Sequence, residues 1–315
     1  MKVVGVRAYC SSANIGPCFD VAAIAHDAYY DEVWLKVVEH GSGNIKVIQV
    51  DGQYYKDVPK NENTGKKAIE IMLEELEPKP KVDVKVRIWK GVPVGVGLGS
   101  SGATAAASVK AFKEALSIDV GVNWLIKVAG MAEAAAAGEP HYDNVAASLL
   151  GNLAIIYSFQ PIKAVSYKIN QRFILLVPVI KTPMQKTKLL REVLPKKVNL
   201  KDVTKNLAHT VGLIAGLLME NDELVRTSMR DELVEPHRTP LIPFYNTIKS
   251  ALLKIGVKSF ALSGAGPTII MPYISEEIYK KVAEVIPKEV LEKHSIKIVV
   301  KVAKPAPGAH VIESQ

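Results

Sequence analysis

Apolar and polar positions alternate with a period of two along the first part of the chain. Val3 to Tyr9, Glu32 to Val38 and Lys46 to Val50 read as strands. Gly41-Ser42-Gly43-Asn44 and Asp51-Gly52 carry turn residues suited to hairpins between them. The period then lengthens: a helix is expected from Gly65 to Leu76, stopped by Pro78 and Pro80. Val82 to Trp89 alternates again as a strand. An alanine-rich helix follows Ser100-Ser101, and a second runs from Val122 to Ala137 until Gly138-Glu139-Pro140 ends it. Asp143 to Leu150 opens another helix, and Leu153 to Ser158 reads as a strand.

The second half starts near Tyr167. The run from Arg172 to Val179 has the continuous apolar pattern of a buried strand. Helices are expected at Val203 to Met219, Glu223 to Leu233 and Pro243 to Ile255. Strands at Ser259 to Leu262 and Thr268 to Tyr273, a helix from Glu276 to Lys293 and a strand at Ile296 to Val302 complete it. Strand, helices, two strands, helix, strand is the ferredoxin-like order. The expected domains are 1–166 and 167–315, an α+β chain with no internal repeat.

Composition narrows the class. At 315 residues and 48% hydrophobic content the chain can build two cores. Its net charge of +8 is spread along the chain rather than gathered in a block, so it reads as a solvated surface and not as a nucleic-acid face. Positive potential still suits an anionic small molecule. Cys10 and Cys18 are too few for a disulfide framework and form no C-x-x-C pair, so they read as reduced thiols. No apolar run reaches the roughly 18 residues of a membrane span. With no secretory pattern at the start, a cytoplasmic protein without a membrane partner is expected.

The densest chemical signal is Pro93-Val94-Gly95-Val96-Gly97-Leu98-Gly99-Ser100-Ser101-Gly102, set between a strand and a helix. Glycines let backbone approach a large anion, and a helix start presents unpaired N–H groups and the positive end of its dipole. Ser100 or Ser101 is expected as N-cap. Strand, glycine loop and helix start together point to a phosphate site. Gly97-x-Gly99-x-x-Gly102 also matches a dinucleotide pattern, but the strand and acidic residue that pattern needs do not follow. No Lys precedes the serine pair, so the nucleoside-triphosphate loop with its lysine is absent.

Other constellations bear on this loop. Glu133 stands alone among alanines, and an isolated acid there belongs inside with a partner. A Mg²⁺ held by one carboxylate, a serine hydroxyl and phosphate oxygens would supply one. Asn14 and Asp20 follow the first strand in Ser11 to Asp20. His141, Asp143 and Asn144 cluster before a helix, and Arg191 and Arg238 are candidates for binding a carboxylate or phosphate. Leu262-Ser263-Gly264-Ala265-Gly266-Pro267-Thr268 forms a second glycine loop after a strand.

Four of these segments resemble one family. They are Ser12 to Asp20, Gly95 to Ser101, Pro140-His141-Tyr142-Asp143-Asn144-Val145 and Ser263 to Thr268; in order and spacing they fit nearly the whole chain to the GHMP small-molecule kinases, and within them to the branch acting on homoserine. The resemblance implies a two-domain GHMP kinase fold, the N-terminal part like ribosomal protein S5 domain 2 and the C-terminal part ferredoxin-like. It implies transfer of the ATP γ-phosphate to the side-chain hydroxyl of L-homoserine, with Mg²⁺, often in a homodimer. On this reading Pro93 to Gly102 (Pro93, Gly95, Val96, Gly97, Leu98, Gly99, Ser100, Ser101, Gly102) wrap the phosphates and Asn63 meets the nucleoside. Ser101 and Glu133 hold Mg²⁺. Asn14, Asp20, His141, Asp143, Thr187, Arg191 and Arg238 line the amino-acid pocket, with Asp143 holding substrate rather than taking its proton. Cys18 and Gly102 depart from the Gly and Ala usual in the family. The alternatives are another GHMP kinase, acting on shikimate, mevalonate or pantoate, and a nucleotide-binding protein without catalysis.

Overall fold

Strands β1 (Lys2–Asn14) and β2 (Cys18–Glu39) form a long antiparallel pair at the centre of a seven-stranded sheet. The computed structural model describes the chain except residues 61, 139 and 182–185 and the side chains of 136, 137 and 186–188. β3 (Ile45–Asp51) lies at the edge beside β4 (Val82–Lys90), giving the order β11-β1-β2-β4-β3, in which β11 is His310–Ser314. β5 (Leu153–Phe159) pairs with β2 and β6 (Ile162–Tyr167) with β5. The alternation read from the sequence is the burial pattern: Val33, Leu35 and Val37 of β2 and Val84, Val86 and Ile88 of β4 turn inward.

The helices α1 (Thr64–Glu75), α2 (Ser100–Leu116), α3 (Val122–Ala137) and α4 (Tyr142–Leu150) cover the inner face. α2 is the central one. Ala103, Ala105, Ala106, Ala107 and Ala111 are fully buried, which explains the alanine run better than helix propensity does: small side chains let α2 lie close to β1, β2, α1, α3 and α4 at once.

The second sheet is β10-β7-β9-β8, built from β7 (Phe173–Val179), β8 (Ala261–Leu262), β9 (Ile269–Pro272) and β10 (Lys297–Ala303). Between β7 and β8 come α5 (Lys186–Glu192), α6 (Leu200–Leu218), α7 (Asp222–Ser228), α8 (Glu235–Arg238) and α9 (Tyr245–Ile255); α10 (Glu276–His294) joins β9 to β10. Strand, helices, two strands, helix and strand, in the sheet order β10-β7-β9-β8, is the ferredoxin-like order expected from the sequence. A second apolar core forms here from Ile174, Leu176, Ile248, Leu252, Ile269 and Ile286. The division at 166/167 is our proposal for the domains, with the tail returning so that β11 completes the first sheet beside β1.

Three local expectations are corrected. The first turn does not make a hairpin. β3 pairs in parallel with β4, which intervenes between β3 and β2. The cause is Asp83 at the start of β4: its carboxylate accepts from the N–H groups of Ser42 and Asn44 and wraps that loop around the strand. Asp51-Gly52 likewise leads into a short 3₁₀ turn at Tyr55–Asp57 rather than a hairpin. The helix expected at Glu223 to Leu233 stops at Ser228. There Asp231 accepts from the amides of Leu233, Val234 and Glu235 and starts α8 instead.

Candidate active site

The loop from β4 to α2 begins at a lysine on the wrong phase for solvent. Lys90 falls on the inward positions of β4, as Asp31 does on β2, and the two form a buried ion pair. Asp31 also accepts from the amides of Gly91 and Val92, and Lys90 donates to the Ser100 carbonyl at 2.8 Å and to Thr104 Oγ1 at 2.7 Å. The pair thus fixes both ends of the glycine loop under the first turn of α2. Burial lowers the affinity of Lys90 for its proton, and Asp31 and Glu133 oppose this.

The helix cap is Gly99 rather than either serine. Its φ is +61°, and a Cβ there would lie 2.2 Å from Ser11 Oγ and 2.7 Å from Asn144 Oδ1. Ser100 becomes the first helical residue and donates to the Val92 carbonyl at 3.0 Å, while Ser101 Oγ donates to Glu133 Oε1 at 2.5 Å. Gly97 has φ +86° and no room for a Cβ, which would sit 2.2 Å from the Ser263 carbonyl. The second glycine loop therefore lies directly on the first. Thr268 N–H donates to the Val96 carbonyl and Ser263 Oγ to the Gly97 carbonyl.

These elements wall a cavity of about 660 Å³ between the two sheets. Asn14, Asp20, Asn63, Gly95, Gly97, Leu98, Gly99, Ser100, Ser101, Glu133, His141, Asp143, Arg191 and Arg238 all line it. Pro93, Val96 and Gly102 are buried behind it, the last against Asn144 on α4. The side chain of Thr187, on α5, lies outside the described residues.

Glu133 is 1% exposed. Burial, reinforced by Asp143, pushes its carboxyl up to about 8 against the Ser101 hydrogen bond. Among the described residues its Oε2 is buried with no hydrogen-bond partner, though the His141 backbone helps to hold the carboxyl down. No group of three His, Cys, Asp or Glu gathers among the described residues. An all-oxygen set of one carboxylate and one hydroxyl, with a bare buried oxygen, fits a Mg²⁺ that takes its other ligands from phosphates and water.

At the other end, Asp20 and Arg191 form a two-pronged ion pair, 2.8 and 3.3 Å, and Arg191 and Arg238 lie 5.4 and 5.2 Å from the Phe19 ring centroid. Arg238 is buried and donates to the Leu190 carbonyl. Asp143, in the first turn of α4, accepts from the Asn144 amide; burial and the nearby Asp20 push its carboxyl up to about 7. Asn14, at φ +68°, spends its amide on structure: it donates to the Gly264 carbonyl and accepts from the Asp20 N–H. Asn63 caps α1, accepting from Lys66 N and donating to the Lys60 carbonyl, while still forming part of the wall.

Sequence reasoning missed Lys90, Thr104 and the segment Lys56 to Pro59 with Glu62 and Thr64, which line the same cavity. Lys90 had a readable signal, its place on the apolar phase of an alternating strand. The others had none.

Comparison with known proteins agrees with this geometry. The model of the GHMP kinases N terminal domain matches residues 63–152 and that of the GHMP kinases C terminal matches 206–292. A homoserine kinase of Aeropyrum pernix is 39% identical over 311 residues, covering 97% of each chain, and one of Saccharolobus solfataricus is 38% identical over 273 residues, covering 86% of each. The crystal structure of homoserine kinase from Cytophaga hutchinsonii superposes with a TM-score of 0.86 at 31% identity, covering 98% of this chain and 97% of that one. A mevalonate diphosphate decarboxylase of Staphylococcus aureus shares the fold alone, at TM-score 0.68 and 15% identity. With its two glycine loops locked together over one cavity and these relatives along nearly its full length, the chain belongs to the homoserine kinase family of the GHMP kinases.

Proposed function

We propose that the protein transfers the γ-phosphoryl group of ATP to the side-chain hydroxyl of L-homoserine, giving O-phospho-L-homoserine and ADP. The observation that carries this is one cavity with two chemically different ends. One end has a glycine loop, a helix N-terminus and a buried acid with a bare oxygen; the other has two carboxylates and two guanidinium groups. The first suits a polyphosphate with its metal, the second an amino acid.

Phosphoryl transfer asks the protein chiefly to position and to neutralise charge. The amides of the Gly95 to Ser101 loop and the N-terminus of α2 would face the phosphates, with the Lys90–Asp31 pair holding the loop from beneath. Glu133 and Ser101 would hold Mg²⁺, whose charge would offset that building on the transferred group. Arg191 and Arg238 would take the substrate carboxylate, and Asp20 and Asp143 its ammonium, with His141 beside them. As the substrate hydroxyl oxygen bonds to the γ-phosphorus, the bond to the ADP oxygen breaks. The hydroxyl proton passes to a phosphoryl oxygen, leaving Asp143 as a substrate ligand.

No described helix is long and apolar enough to cross a membrane. A cytoplasmic place, a role in threonine synthesis and a homodimer belong to the same proposal. The exposed residues Leu200, Leu207, Val211 and Leu218, spaced along one face of α6, support the dimer, which sedimentation velocity would report. The deciding experiment is coupled ADP release from ATP and Mg²⁺ with homoserine, shikimate, mevalonate and pantoate as acceptors. Turnover confined to any acceptor but homoserine overturns the reading.

A further inference from the structure

We propose that His26, a residue that lines no part of the cavity, is a positioning residue for the phosphate loop, acting through Ser12 and Ser263 on the Gly97 carbonyl. The inference rests on the nucleotide half of the proposed function and not on the acceptor.

His26 is fully buried on β2. Its Nδ1 lies 3.2 Å from Cys10 Sγ and its Nε2 2.9 Å from Ser12 Oγ, both on β1. Ser12 Oγ is 2.8 Å from Ser263 Oγ, which reaches across from the second glycine loop. Ser263 Oγ is 2.5 Å from the Gly97 carbonyl. Counting hydrogens gives the whole chain one direction. A carbonyl only accepts, so the Ser263 hydroxyl hydrogen goes to Gly97. Ser263 Oγ must then accept from the Ser12 hydroxyl. With its own hydrogen spent, Ser12 Oγ must accept from a protonated His26 Nε2. Neutral His26 then has a bare Nδ1 facing Cys10 Sγ, which also donates to the His26 carbonyl at 3.3 Å. The opposite tautomer would draw the Ser12 hydrogen to Nε2 and leave two hydroxyl oxygens facing each other at 2.8 Å with no hydrogen between them.

Burial agrees with a neutral ring: it pulls the His26 imidazolium down to about 3 and raises the Cys10 thiol, so neither end ionises near neutral pH. The output is geometric. In a planar trans peptide the Gly97 carbonyl and the Leu98 N–H point opposite ways. Holding the first toward Ser263 fixes the second, at residues that wall the phosphate end of the cavity. The chain also ties β1 and β2 of the first sheet to the loop after β8 of the second, so the phosphate loop is set by both sheets together.

The test reads nucleotide binding directly, by titrating a non-hydrolysable ATP analogue with Mg²⁺ into the full-length protein. Ser12→Ala and Ser263→Ala are each expected to weaken binding about tenfold, the scale of one hydrogen bond to loop geometry. The double variant should lose no more than either single one, because both cut the same chain. His26→Leu should match them, and His26→Gln, which keeps a donor for Ser12, should recover most of the affinity. The KM for the acceptor should stay within about twofold of wild type throughout. Should His26→Leu fail to fold, ¹⁵N chemical shifts of the wild-type ring decide separately: the Nε2–H tautomer, unchanged from pH 5 to 8, is required. A ring protonated at Nδ1, additive serine losses, or a Ser12→Ala variant with unchanged nucleotide affinity would each overturn the proposal. A protein that shows the expected binding pattern but does not phosphorylate homoserine keeps this inference and loses the acceptor.

Discussion

Replacing Glu133 with Gln keeps its shape and removes its charge, and the structure says how that should depend on pH and on metal. In the metal-free protein this carboxyl is raised from 4.5 to about 8, chiefly by burial. Between those two values the native chain holds a proton that the unfolded chain has lost, so stability falls as pH rises through the window and levels off above it. At about 1.4 kcal/mol per pH unit the full interval amounts to about 5 kcal/mol. At ~2 °C per kcal/mol for a chain of this size, that is roughly 10 °C in Tm. The Gln variant has no proton to hold. In EDTA, its Tm relative to wild type should therefore climb by up to that amount from pH 5 to pH 8.

Saturating Mg²⁺ and ATP analogue should reverse the order. Ligand at 1,000 times Kd stabilises wild type by ~4 kcal/mol, whereas the variant lacks the carboxylate and should gain far less. Its kcat with homoserine should fall at least ~100-fold, the usual loss when one electrostatic group at a reacting centre is removed. Scanning fluorimetry across pH, with and without ligand, reads all of this. Parallel Tm curves in EDTA would refute the buried-acid argument, and equal stabilisation of both proteins by Mg²⁺ and nucleotide would refute the metal assignment.

Four further outcomes are expected. Asp143→Asn should raise the homoserine KM about 10- to 100-fold with a smaller fall in kcat; a severe kcat loss at unchanged KM would make Asp143 a base instead. Arg191→Lys, which cannot form the two-pronged contact, should raise the homoserine KM about tenfold and leave that for ATP alone in the same initial-rate assay. Gly97→Ala, at φ +86° and 2.2 Å from the Ser263 carbonyl, should weaken nucleotide binding in calorimetry by ~30-fold or more, since the clash is with backbone. Lys90→Met leaves Asp31 buried and unpaired, at a cost of about 3–5 kcal/mol, and Asp31→Asn in the same chain should return part of the lost Tm.

Features held together by neighbours in the chain were legible, and features held by distant ones were not. The phosphate loop could be read because glycines, serines and an alanine run lie within fifteen residues. Lys90 and Asp31 could have been read, since each breaks an apolar alternation at an inward position. The exchange of Ser100 for Gly99 as cap could not. It depends on Ser11 and Asn144 crowding the position from elsewhere in the fold. The same holds for β3, drawn beside β4 by Asp83, and for β11, whose partner β1 is some 300 residues away in sequence. Asn14 is the instructive case at the site. A polar residue after a strand marked the right place, but its amide is committed to Gly264 and Asp20, which only the folded arrangement of two loops reveals.

On the proposed function, the acceptor end of the cavity would distinguish acids of different charge. Asp20 and Arg191 face each other, Arg238 lies against the same phenyl ring, and Asp143 is held partly protonated by burial and by Asp20. Two close carboxylates repel, and a ligand ammonium placed between them relieves that repulsion while a ligand carboxylate takes the guanidinium side. A zwitterion therefore exchanges the Asp20–Arg191 pair for two equivalent pairs at no change in charge. A hydroxy acid such as mevalonate satisfies the arginines but leaves the carboxylates facing each other. An unmet charged hydrogen bond costs about 1–3 kcal/mol, or roughly 5- to 150-fold in binding. On the proposed function, substrate choice then rests on four charged side chains, Asp20 of β2, Asp143 of α4, Arg191 of α5 and Arg238 of α8, and not on the fold.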